Sequence, residues 1–88
     1  MNRLVLFKKS LEEASALYRR CPNFFPLLSA INQLEFLIDF EQGNENFEKL
    51  KTIDIGLLAA REIESFDEGL AELLHQVSSE VRDMLSGR

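Results

Sequence analysis

The sequence predicts an all-α fold, a small antiparallel bundle of about four helices. Apolar residues recur at three- and four-residue spacing in four successive segments, the signature of amphipathic helices and not of strands. Those segments are separated by recognisable helix stop and start signals. Two Pro and four Gly leave little material for the hairpin turns that a sheet needs. With 88 residues, 45% of them apolar and 28% charged, the chain reads as one ordered domain spanning residues 1–88.

The first segment runs from about Arg3 to Arg20, with Leu4, Phe7, Leu11, Ala14, Leu17 and Tyr18 on one stripe. Pro22 ends it, because the residue before a proline is pushed out of the helical region. In the second segment Asn23 is the expected N-cap, and Pro26 sits in the first turn, where its missing N–H costs nothing. Leu27, Ile31, Leu34 and Ile38 form the main stripe, widened by Leu28, Ala30 and Leu37, and the stretch 42–44 carries a glycine stop. Residues 45–54 are polar, with Phe47 and Leu50 as apolar pegs, and read as a loop with room for one helical turn. A short third helix takes Ile55 to Ile63, where Gly56, Ala59 and Ala60 allow close approach to a neighbour. Ser65 or Asp67 caps a long final helix marked by Leu70, Leu74, Val77, Val81, Met84 and Leu85.

Composition narrows the function classes. One Cys and one His exclude a disulfide framework and a Cys/His zinc site within one chain. The longest apolar runs are four residues, so neither a membrane span nor a secretory leader is expected, and the expected location is cytoplasmic. Net charge is −5 and unevenly spread. Residues 1–22 carry five basic and two acidic side chains, whereas residues 23–88 carry five basic and thirteen acidic. A carboxylate-rich surface repels phosphate backbones, which argues against nucleic acid and for a basic partner.

Catalytic constellations are weak. Glu72 and His75 have the Glu-x-x-His spacing of di-iron helices, yet at 100° per residue both fall well away from the Leu74/Val77/Val81 face, so no metal is assigned. Cys21 has no nearby His to activate it, and the glycines form no phosphate loop. No enzymatic activity, catalytic residue or cofactor is therefore expected. A recognition surface is better supported. With Leu27 at zero, Phe36 falls near 180° and Phe40 near 220°, opposite the main stripe and among Ser29, Asn32, Gln33 and Asp39. An aromatic pair ringed by polar groups has the make-up of a binding hot spot; the alternative is that this helix packs on both sides. Phe24 and Phe25 are expected to plug the corner between the first two helices.

From about Tyr18 to Met84 the chain resembles a family of small helical immunity proteins that neutralise type VI secretion effectors, and is most similar to the antidote of an NAD(P)-degrading toxin. The resemblance lies in three stretches: Pro22, Phe24, Pro26, Leu27-Leu28-Ser29-Ala30 and Gln33-Leu34; then Gly56, Ala59, Arg61, Glu62 and Ile63; then the acidic opening of the last helix at Asp67. There the family often has Asp-Pro, and this chain has Asp67-Glu68. The resemblance implies a stoichiometric antidote that binds one cognate toxin and blocks its active-site cleft. No contact residues are carried over from it. The residues themselves point to Asn32, Glu35, Phe36, Asp39, Phe40, Glu45 and Glu48 as the toxin-binding set. A self-associating adaptor bundle, with a homodimer as its working form, is the competing expectation.

Overall fold

The computed structural model describes residues 2–43 and 46–87. Helix α1 spans Arg3–Arg20 and starts where the Val5 N–H donates to the Asn2 side chain at 2.8 Å. It stops at Cys21, which leaves the helical region ahead of Pro22 (φ −133°, ψ 65°) while its N–H donates to the Leu17 carbonyl at 3.0 Å. The buried face is Leu6, Phe7, Ser10, Ala14 and Leu17, rotated from the stripe expected; Leu4 and Leu11 are only half-buried. Ser10 enters the core because its hydroxyl donates to the Leu6 carbonyl at 2.8 Å and is satisfied there.

Helix α2 spans Phe25–Glu41 with Pro26 in its first turn. Its N-cap is Phe24, with no side-chain bond, so the expectation of an Asn23 cap is corrected. Gly43, at φ 126°, turns the chain out of α2 in a conformation that residues bearing a Cβ resist. A single turn, α3 (Phe47–Leu50), follows, capped by Asn46 through the Lys49 N–H at 3.1 Å and anchored by fully buried Leu50.

Helix α4 (Ile55–Leu58) runs directly into a π-helical turn, Ala59–Ile63, closed by the Glu64 N–H on the Ala59 carbonyl at 2.9 Å. Ile55, Ala59 and Ile63 are all buried at steps of four. In an α-helix each such step drifts by about 40°. The wider π turn winds less per residue and takes that drift back, keeping the three on one face. Helix α5 (Glu68–Leu85) is capped by Asp67, whose carboxylate accepts from the Leu70 N–H at 2.9 Å, which settles the cap on Asp67 over Ser65. Its buried stripe is Leu70, Ala71, Leu74, Val77, Val81 and Met84, whereas Leu85 is 38% exposed.

Helices α1, α2, α4 and α5 close a ring: α1 packs on α2 and α5, and α4 on α2 and α5. The Cα radius of gyration, 12.2 Å, matches the roughly 12 Å expected for a compact chain of this length. Gly56 sets the α4–α5 spacing, since a Cβ placed there would lie 2.8 Å from the Ser78 Cβ. At one end Arg3 reaches Glu80 at 3.0 Å and Glu41 at 3.3 Å, tying α1 to α5 and α2. Burial alone would lower the Arg3 pKa, but the hydrogen bonds and charges of the two carboxylates outweigh it and raise it. A raised folded-state pKa stabilises below the guanidinium's ordinary range, so this gain is present at every working pH and is lost only in strong alkali.

At the other end Phe24 stacks on Phe66, with ring centroids 4.0 Å apart and planes 13° apart. Phe24 thus plugs the corner as expected, whereas Phe25 is 67% exposed and does not. Between the ends, Gln33 straps α2 to the start of α4: its amide donates to the Asp54 carboxylate at 2.8 Å and its carbonyl accepts the Asp54 N–H at 3.1 Å. This substitutes for the side-chain cap that α4 lacks. Gln33→Ala is expected to lower stability by about 1 kcal/mol in urea unfolding, with an unchanged m-value.

Candidate functional site

The outer face of α2 carries Phe25, Leu28, Ser29, Asn32, Glu35 and Asp39, all exposed, while Leu27, Ala30, Leu34 and Leu37 hold the opposite face in the core. The two exposed apolar residues sit toward the N-terminal end and the two carboxylates toward the C-terminal end. Glu35 and Asp39 are four apart and therefore neighbours on one side of the helix.

Phe36 differs from expectation. It is only 7% exposed and belongs to the buried core cluster, and Lys49 of α3 places its Nζ 5.0 Å from the ring centroid. Phe40 is half-buried and tilted against it, with centroids 6.0 Å apart and planes at 51°. Helix α2 therefore packs on two sides, and the aromatic pair is not an open patch. What the fold makes instead is an open groove of about 620 Å³ lined by Asn32, Glu35, Phe36, Asp39, Asn46 and Lys49. Four of the seven residues singled out from sequence, Asn32, Glu35, Phe36 and Asp39, meet in it. Phe40 lies beside Phe36 outside the groove lining. Glu48 is exposed and pairs with Lys51 at 3.3 Å, away from that lining. Glu45 lies outside the described residues.

Sequence reasoning missed Lys49 and Asn46 in the groove, and Phe25 and Leu28 on its flank. Phe25 could have been found, since it falls near 160° from Leu27 on the helical wheel. Lys49 could not, because its place depends on where α3 lies relative to α2, which no helical wheel gives. The other chemical lead stays at the surface. Glu72 and His75 are both exposed on α5, and the His75 Nε2 pairs with Glu64 at 3.3 Å. Among the described residues no group of three or more His, Cys, Asp or Glu side chains is arranged to hold a metal ion. Among them, too, no helix is long and apolar enough to cross a membrane.

Comparison with known families places this geometry. The model of the Tsi6 family matches residues 3–83, from the start of α1 to within the last turn of α5. No curated protein and no solved structure matches the chain. The family is one of immunity proteins, and membership implies a cognate toxin as the partner. With the match running from the start of α1 into the last turn of α5, the chain belongs to the Tsi6 family of type VI secretion immunity proteins.

Proposed function

We propose that this chain binds the toxin domain of its cognate effector one-to-one, through the outer face of α2 and the adjoining groove, and obstructs the toxin's active site. The observation that supports this reading is the gradient along α2, from Phe25 (67% exposed) and Leu28 (39% exposed) to Glu35 and Asp39 beside the groove. Exposed apolar side chains supply the area that holds a complex together, and carboxylates steer a basic partner onto it. A toxin acting on NAD(P) or nucleotides presents cations to its substrate's phosphates. Carboxylates seated there would compete with that substrate. Association also adds to the stability of a domain this small.

The test is co-expression with the effector encoded beside this chain, together with a titration of the purified pair. The double variant Asn32→Arg/Glu35→Lys is expected to weaken binding at least about tenfold and to abolish protection. Lys8→Glu, exposed on α1, is expected to change neither. The opposite pattern overturns the α2 assignment. An effector domain that binds normally but does not consume NAD(P) or a nucleotide removes the substrate assignment and leaves the docking face intact. The same exposed Phe25 and Leu28 favour self-association as the competing use of this face. A free chain that light scattering finds monomeric at about 100 μM argues against it, since a stable homodimer has a far lower Kd.

A further inference from the structure

The groove between α2 and α3 already holds a cation on an aromatic ring. The Lys49 ammonium lies 5.0 Å from the Phe36 centroid, and Glu35 and Asp39 share the groove with it. Lys49 makes no ion pair within 4 Å among the described residues, so the ring is the contact that holds it. Its tether is short, since it sits on a single helical turn anchored by Leu50. The exposed Lys49 side chain can swing into water without disturbing that anchor.

An ammonium is the poorer guest for this groove. It is compact and strongly hydrated, whereas a guanidinium is planar, more weakly hydrated, stacks on aromatic faces and can fork onto carboxylates. The groove offers both elements, the face of Phe36 and a carboxylate at Glu35, and the Asn32 side chain lies on the same lining to accept a remaining N–H group. Its volume, about 620 Å³, exceeds that of a single side chain.

We propose that the groove receives one arginine side chain of the bound partner, which displaces Lys49 from the Phe36 ring and pairs with Glu35. Lys49 is then a built-in placeholder. It keeps Phe36 covered in the free protein and lowers the groove's affinity for any cation that cannot out-compete it. This deepens the docking assignment above and rests on it for its biological meaning, but the groove's preference for guanidinium can be measured without the toxin.

The experiment is an NMR titration of the full chain with N-acetyl-arginine-N′-methylamide and, separately, with the matching lysine derivative. Expected are shifts confined to the Phe36 ring, the Asn32 and Asn46 side-chain amides and the Lys49 side chain, with arginine binding about fivefold more tightly than lysine. Lys49→Gln should tighten arginine binding by about threefold, because the self-occupied fraction is released. Glu35→Gln should weaken it by a comparable factor, and Phe36→Leu, which keeps the core apolar, should erase the preference for arginine over lysine. Equal affinities for the two probes, or arginine shifts spread over all exposed carboxylates, overturn the proposal. So does a Lys49→Gln variant that binds arginine no better than the parent chain. If the proposal fails while Asn32→Arg/Glu35→Lys still abolishes toxin binding, the docking face stands and only its arginine pocket falls.

Discussion

Phe36→Asp is expected to unfold the domain and not merely to weaken its complex. Read from the helical wheel alone, Phe36 stands opposite the core stripe, and a charge there would be a surface change. In the structure it is 7% exposed, under the Lys49 ammonium and next to Phe40. An aspartate in its place loses the transfer energy of a phenyl ring and leaves a carboxylate in a site shaped for that ring, a combined loss of about 5 kcal/mol. A chain of 88 residues has in total roughly 4–13 kcal/mol of stability. Far-UV circular dichroism at 25 °C should show a largely unfolded population. Phe36→Leu should cost only about 1 kcal/mol and keep a cooperative melt. A folded Phe36→Asp protein with native stability would mean that Phe36 is not part of the core in solution.

Gly56→Val should produce the next largest loss, about 3 kcal/mol. In an isolated helix a residue with a Cβ is better than glycine, so sequence rules alone point the other way. The structure reverses that sign. The Ser78 Oγ and Cβ occupy the space where a side chain on Gly56 would go, and they belong to a rigid helix that cannot step back without opening the ring of helices. Ser78→Gly in the same molecule should restore at least about 1 kcal/mol beyond additivity, since it removes the atoms that clash. Thermal melts of the four proteins in the cycle measure this. Additive effects would mean that α4 and α5 are not in contact at that point.

These two cases show what was legible in the sequence and what was not. The long helices were legible because their apolar spacing and caps are local: Pro22, Pro26, Gly43 and Asp67 each act on their own turn. The small-residue character of the third helix announced close packing, and Gly56 bears it out. The π turn at Ala59–Ile63 was not legible, because it answers a tertiary demand, that Ile55, Ala59 and Ile63 all face inward, which no local propensity encodes. The groove was half legible. Asn32, Glu35 and Asp39 follow from the wheel of α2, whereas Lys49 and Asn46 arrive from a segment whose return path the sequence does not specify. Phe25 and Phe36 exchanged roles for the same reason. A wheel gives a direction from the helix axis, but whether that direction meets protein or water depends on where α3 and the Phe24–Phe66 stack are placed.

The central claim, that the outer face of α2 is the surface that meets the toxin, is tested most directly by mapping chemical shifts of the labelled chain on forming the complex with the effector's toxin domain. The account predicts changes concentrated at Phe25, Leu28, Asn32, Glu35 and Lys49, with the exposed side of α1 at Lys8, Glu12 and Arg19 unperturbed. Perturbation centred on α1 or α5, with the α2 face unchanged, would contradict it.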